Sequence, residues 1–196
     1  RVTWSLWPCS SRGVVGPHLG RSGYRRRPAE RSRARIGRRS THMMTEAASR
    51  ITLAAPRSPV AEAYRALRTS IQLLGLDRDL KAIMITSAGA NEGKSTTLAN
   101  LAVTFAEAGR DVIAVDCDLR RPSLHRLFDL ANDGGLSKAL SDEVPVDDVL
   151  LPTIVPHLRV LPSGLLPPNP SEVLGSQRMD RVIAALRGLA DIVLFD

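Results

Sequence analysis

Lys94 stands between Gly93 and the pair Ser95 and Thr96, and the chain holds just two other lysines, Lys81 and Lys138. A lysine in that setting suits phosphate. Backbone N–H groups and a helix N-terminus converge on the anion, the ammonium reaches the outer phosphate oxygens, and a hydroxyl holds Mg2+. The stretch TSAGANEGKST, residues 86–96, ends as a phosphate loop ends, but Ala88 occupies the place of the first glycine in G-x-x-x-x-G-K-[ST]. That place turns the chain, and a small residue can do so where its φ is negative. Ala90, Asn91, Glu92, Gly93, Lys94, Ser95 and Thr96 are therefore the candidate nucleotide contacts.

Three carboxylates stand ready to serve the same site: Asp116 and Asp118 in VDCD, and Asp196 after DIVLF. Near a bound nucleotide their available roles are to hold Mg2+, directly or through water, and to accept a proton from an attacking hydroxyl.

The elements that must position these groups are legible around them. KAIMIT (81–86) is a short apolar run of strand length, and after the loop Leu98, Leu101, Ala102 and Phe105 keep helical spacing up to Gly109. DVIAVD (111–116) is a second strand, which completes a βαβ unit with parallel strands. LRVLPSG reads as a strand, QRMDRVIAALRGLA as a helix with Met179, Val182, Ile183 and Leu186 on one side, and DIVLF as a strand. Residues 119–158 read as short helices and loops. The predicted fold is α/β, a P-loop NTPase-like layered fold with a mostly parallel sheet. Its strands deliver their C-terminal ends to one edge, where the loop and all three aspartates would gather.

Upstream, SPVAEAYRALRTSIQLLG has Ser58 as N-cap, Pro59 at the first helical position and Gly75 after the last periodic residue. Val60, Tyr64, Leu67, Ile71 and Leu74 form one apolar stripe, expected to meet the core. Glu62, Arg65 and Arg68 make a slanting row beside it, which by itself reads as a solvated charged face.

Charge divides the chain. Residues 1–42 carry eleven arginines and one acid, Glu30, whereas residues 43–196 carry 16 basic against 19 acidic residues, so the body has no polyanion-binding footprint. We expect no nucleic acid on it. The Arg-, Gly-, Pro- and Ser-rich head lacks an apolar period and is expected to be disordered. It reads as a basic arm, as a transit peptide, or as translated sequence ahead of a start at Met43 or Met44, the last being favoured. Residues 43–57 are read as a linker and 58–196 as one domain. Cys9 and Cys117 give no disulfide framework, which fits a reducing cytosol, and no run nears the roughly 18 apolar residues of a membrane span.

From about Ser58 to Asp196 the motifs resemble those of bacterial tyrosine kinases (BY-kinases), the cytoplasmic kinases of capsule and exopolysaccharide export. EAYRALRTSI precedes the first strand, TSAGANEGKST is similar to their Walker A and VIAVDCDLRRPSLH to their Walker A′. GLSKAL and LPSGLLPPNPSEVLGS follow, and DIVLFD is similar to their Walker B. The family commonly relaxes the first glycine of the loop. It usually carries Pro-Gly before the Glu of Walker A, where this chain has Ala90 and Asn91, so loop rigidity is expected to differ. Against the family pattern the chain ends at Walker B, without the following Thr-Pro-Pro, the last strands, the base-binding segment or the tyrosine cluster.

The resemblance implies an MgATP-dependent protein-tyrosine kinase, acting on itself or on a neighbour in a ring-shaped homo-oligomer. Lys94 would neutralise the transferring phosphate, Ser95 and Asp196 would hold Mg2+, and Asp116 would act as base with Asp118 supporting the metal. Glu62, Arg65 and Arg68 would lie at the ring interface, since the apolar stripe leaves them free. A membrane-embedded activator of the chain-length-determinant type is implied, with the kinase at the inner face of the plasma membrane. Two other readings stand beside it. ParA- and MinD-type ATPase switches share the fold but carry a lysine five residues before the Walker A lysine, where this chain has Gly89. A non-catalytic ATP-binding regulator of polysaccharide chain length is the other.

Overall fold

The sequence alternates strand-length apolar runs with helical ones, and a computed structural model shows how they assemble; it describes residues 51–75, 80–141 and 144–196. The Arg-rich head and the start at Met43 or Met44 lie outside the described residues. The elements run α1 (Ile51–Ala54), α2 (Pro59–Leu74), β1 (Ala82–Met84), α3 (Lys94–Glu107), β2 (Val112–Val115), α4 (Leu124–Leu127) and α5 (Leu136–Leu140). After a 3-10 turn at Val146–Val149 come β3 (Leu151–Pro152), β4 (Leu158–Leu161), α6 (Pro170–Leu174), α7 (Gln177–Leu189) and β5 (Ile192–Phe195).

The five strands form one sheet in the order β1-β5-β2-β4-β3. β1, β5, β2 and β4 are parallel, with Met84 and Val115 both opposite Phe195, and Val115 opposite Leu161. β3 alone is antiparallel, pairing Leu151 with Val160 at the sheet edge. The central strands β5, β2 and β4 are largely buried on both faces, as the strands of parallel sheets are, while β1 leaves Met84 exposed. Val112, Ala114, Ile192 and Leu194 point towards α3, where Leu98, Leu101, Ala102 and Phe105 pack. The alternate residues Ile113, Val115, Val193 and Phe195 point the other way, against Leu136 and Leu140 of α5 and Met179, Val182 and Leu186 of α7. The chain is thus a P-loop NTPase-like α/β fold, a mostly parallel sheet between helical layers.

The stretch expected to be a linker contributes α1. Thr52 is fully buried there, and its backbone N–H and hydroxyl both donate to Oδ1 of Asn100 on α3, at 3.0 and 2.9 Å. Asn100 in turn donates to the Thr96 carbonyl at 2.8 Å, so α1 is tied to the first turn of α3.

α2 begins and ends as expected: the Ser58 hydroxyl accepts from Ala61 N–H, Pro59 opens the helix and Gly75 follows it. Its packed face differs from the expected one. Ala61 is fully buried, while Val60, Leu67 and Leu74 are 50%, 41% and 74% exposed. Arg68 donates to the Thr104 carbonyl at 3.0 Å, and Arg65 donates to the Pro56 carbonyl at 2.7 Å while lying 3.5 Å from Glu107. At 100° per residue, Val60, Leu67 and Leu74 sit about 120° around the helix from Ala61. The helix docks on α3 through a small residue flanked by arginines, and of the expected stripe Ile71 packs against the core.

Candidate active site

The phosphate loop joins the end of β1 to the start of α3. Gly93 precedes the helix at φ 86°, a left-handed conformation that glycine adopts without a Cβ penalty, and Asn91 is left-handed at φ 62°. Ala88 is not among the positive-φ residues, so alanine serves at the place of the first glycine. Glu92 folds back within the loop, where its Oε2 accepts from Gly89 N–H at 2.9 Å. The Ser87 hydroxyl donates to the Gly89 carbonyl.

The parallel sheet brings the distant groups together. The Lys94 ammonium is 3.1 Å from Oδ1 of Asp196 and 3.7 Å from Oδ2 of Asp118. The Ser95 hydroxyl donates to Oδ2 of Asp196 at 2.5 Å. Lys94, Ser95, Asp118 and Asp196 therefore form one cluster, drawn from the first turn of α3, the loop after β2 and the end of β5. Asp196 has a fully buried side chain, and its second oxygen faces the Lys94 ammonium. Burial pulls the Asp118 carboxyl upward, but the backbone N–H groups of Arg121 and Arg120 and the Lys94 ammonium outweigh it and hold Asp118 below the usual carboxylate range.

Asp116 lies elsewhere in this geometry. It is fully buried: Oδ2 accepts from Ser123 and Leu124 N–H, both at 2.9 Å, and Oδ1 from Asp118 N–H at 3.3 Å. Burial pushes its carboxyl up to about 6 despite those bonds. It braces the loop from Cys117 to Leu124 and does not line the cleft, unlike Asp118. Cys117 between them is also driven up, to about 12, by burial and then by the charges of Asp116 and Asp196.

A cleft of about 880 Å³ opens beside the loop. Ala90, Asn91, Glu92, Gly93, Lys94, Ser95 and Thr96, the residues read from the sequence as candidate nucleotide contacts, line it together with Asp118. Sequence reasoning missed its opposite wall, which includes Arg121, Ser123, His125 and Arg126. The signal was present in DLRRPSLHR, a basic run directly after the paired aspartates. Glu62, Arg65 and Arg68 do not join the site. The row is tied to its own domain, with Glu62 bonded to Arg65 at 2.6 Å.

The donor set suits a hard divalent cation: the Ser95 hydroxyl and the Asp196 carboxylate are hard oxygens in contact, with the Asp118 carboxylate close by. Among the described residues no three His, Cys, Asp or Glu side chains are grouped to hold a metal by themselves, so phosphate oxygens and water would supply the remaining ligands.

Comparison with protein families matches residues 83–194 to the CobQ/CobB/MinD/ParA nucleotide binding domain. The tyrosine-protein kinase YwqD of Bacillus subtilis is 42% identical over 146 residues, 74% of this chain and 62% of the relative. The chain thus spans about six-tenths of the length of that curated relative. Among solved structures, the kinase domain of the Escherichia coli tyrosine kinase ETK superposes with a TM-score of 0.71 at 32% identity, over 75% of this chain and 58% of that one. The septum site-determining protein MinD of Pyrococcus horikoshii, complexed with Mg-ADP, superposes with a TM-score of 0.52 at 29% identity, over 60% of this chain and 48% of that one.

Proposed function

The chain belongs to the CobQ/CobB/MinD/ParA nucleotide-binding domain family, and from that premise we propose that it is an MgATP-dependent protein-tyrosine kinase. The observation that carries this reading is the cluster of Lys94, Ser95, Asp118 and Asp196, of which Lys94, Ser95 and Asp118 line one cleft while the buried Asp196 backs them from the end of β5. The likeness to relatives named as tyrosine-protein kinases supports it.

In this reading the loop from Ala90 to Thr96 cradles the phosphates of ATP with its backbone N–H groups, and Lys94 neutralises charge on the outer phosphate. Ser95 and Asp196 would hold Mg2+, which when bound draws charge from the phosphate oxygens. The tyrosine oxygen attacks the γ-phosphorus, the bond from that phosphorus to the bridging oxygen breaks, and ADP leaves with the bond's electrons. The tyrosine proton passes to Asp118, which is ionised at neutral pH and lines the cleft. Asp116 positions Asp118 by holding the loop between them. Incubating the full-length protein with radiolabelled ATP should place label on tyrosine, and Lys94→Met should abolish it. ATP consumption without labelled tyrosine in any added protein would overturn the reading.

A MinD-like ATPase switch is the second reading, favoured by the family match and by the likeness to the Mg-ADP-bound MinD. Gly89, where such switches carry a lysine, speaks against it. A non-catalytic ATP-binding regulator of polysaccharide chain length would bind ATP and transfer nothing.

By its resemblance to BY-kinases, the chain is assigned a role in regulating capsule or exopolysaccharide synthesis and export, as a ring-shaped homo-oligomer with a membrane-embedded activator. No helix among the described residues is long and apolar enough to cross a membrane. In this reading the membrane-embedded partner would hold this part of the chain at the inner face of the plasma membrane.

A further inference from the structure

The cleft has two walls of different character. The phosphate loop and Lys94 form one, and they meet the needs of a nucleotide's phosphates. Arg121, Ser123, His125 and Arg126 stand on the other, and nothing in the proposed transfer step uses them.

This second wall is cationic and uncompensated. Three arginines elsewhere are matched with carboxylates: Arg65 with Glu62 and Glu107, Arg110 with Asp191, and Arg159 with Asp147. Arg121 makes no side-chain hydrogen bond or ion pair among the described residues, and Arg126 spends one Nη2 hydrogen bond on the Pro122 carbonyl, at 3.0 Å, without a carboxylate partner there. Nδ1 of His125 is buried with no hydrogen-bond partner. The acids that line the cleft are committed elsewhere, Glu92 to Gly89 N–H and Asp118 to Lys94 and the backbone.

The wall is also indexed to the chemistry. Oδ1 of Asp118 accepts from Arg120 N–H at 3.2 Å and from Arg121 N–H at 2.9 Å, so the carboxylate that faces Lys94 also fixes the backbone carrying Arg121. A polypeptide that offers a tyrosine hydroxyl to Asp118 would lie beside Arg121 and Arg126, which line the same cleft. Arginine forks bind carboxylate and phosphate oxygens bidentately and are weakly hydrated, which suits them to fixing such a segment.

We infer that Arg121 and Arg126 are specificity-determining residues, which select acceptors carrying an anionic residue, a carboxylate or a phosphate, within a few positions of the tyrosine. This rests on the kinase reading above. The test uses the full-length protein with MgATP and four peptides that share one tyrosine, flanked by glutamate, phosphoserine, glutamine or lysine. Wild type should favour the two anionic peptides over the lysine peptide by about tenfold or more in kcat/KM, and the ratio between those two identifies which anion is preferred. Arg121→Ala with Arg126→Ala should raise KM for the anionic peptides about tenfold, with kcat and the Kd for MgATP within about twofold of wild type. Arg126→Glu should turn the preference towards the lysine peptide, and Arg126→Lys should restore part of the original one.

Equal kcat/KM for all four peptides would overturn this inference and leave the kinase reading standing. A weakened Kd for MgATP in the double variant would give the arginines to the nucleotide and overturn it also. MgATP binding with no peptide phosphorylated would overturn both.

Discussion

Lys94 and Asp196 meet at 3.1 Å, an ammonium from the first turn of α3 against a carboxylate at the end of β5 whose side chain is fully buried. The contact exists because β1 and β5 are parallel neighbours, so the loop leaving one strand meets the residue ending the other. Lys94→Met should therefore do two things. It should slow phosphoryl transfer by two or more orders of magnitude, since losing such stabilisation costs on the order of 3 kcal/mol. It should also lower the stability of the ligand-free protein, because a buried carboxylate loses its cation. Adding Asp196→Asn should restore part of that stability without restoring activity, as read by urea unfolding beside a transfer assay.

Asp118 and Asp116 should separate in mutagenesis. Asp118→Asn should abolish transfer while leaving the unfolding midpoint near wild type, because Asp118 is partly exposed. Asp116→Asn should chiefly destabilise, by about 1–3 kcal/mol, because one amide oxygen cannot replace two carboxylate oxygens that accept from Asp118, Ser123 and Leu124. Full stability with abolished transfer in Asp116→Asn would return the base to Asp116.

Burial that raises Asp116 to about 6 sets a pH dependence. A carboxyl whose folded value exceeds its unfolded one binds its proton more tightly when folded. Its contribution is fully present below about pH 4 and is lost as pH rises through about 6, a change on the order of 3 kcal/mol. Urea unfolding in chelator, compared between wild type and Asp116→Asn across pH 4–7, should show this slope in the difference between the two proteins. Parallel pH profiles would contradict it.

Gly135 should resist substitution. Its φ is 135°, and an added Cβ would stand 2.1 Å from the Pro162 carbonyl oxygen, which accepts from Leu136 N–H at 2.8 Å. Gly135→Ala should cost about 2–4 kcal/mol by separating α5 from the loop after β4. Denaturation midpoints for Gly135→Ala and Gly188→Ala make the comparison, since a Cβ at Gly188 meets nothing.

Arg65 and Arg68 offer a test of intramolecular against intersubunit roles. Both hold α2 to its surroundings, so changing the two to Ala should lower monomer stability by about 1–2 kcal/mol. A ring interface at this row further requires Glu62→Lys, at a side chain 65% exposed, to shift the mass measured by light scattering. Unaltered mass for Glu62→Lys would leave the row as a fastening within one subunit.

Much of the site was legible in the sequence because its signals are local. A lysine between glycine and serine, and aspartates closing apolar runs, follow from backbone chemistry and from the rule that parallel strands end at one edge. The limits of α2 followed from Ser58, whose hydroxyl accepts from an N–H in the first turn, and from Gly75. Gly93 and Ala88 took the conformations their types allow.

Tertiary structure alone decided the rest. Periodicity groups Val60, Leu67 and Leu74 on one face, but close approach to α3 is possible through Ala61, so the arginines beside it were drawn into the seam and the larger residues left outside. β3 is too short, and α6 too local, to carry a period. Asp116 and Asp118 are two residues apart and look alike in sequence. Three backbone N–H groups, from Asp118, Ser123 and Leu124, close around one, while the other reaches Lys94 in an open cleft. That division depends on how the loop after β2 folds back over the sheet edge, a long-range property that the spacing of two aspartates does not contain.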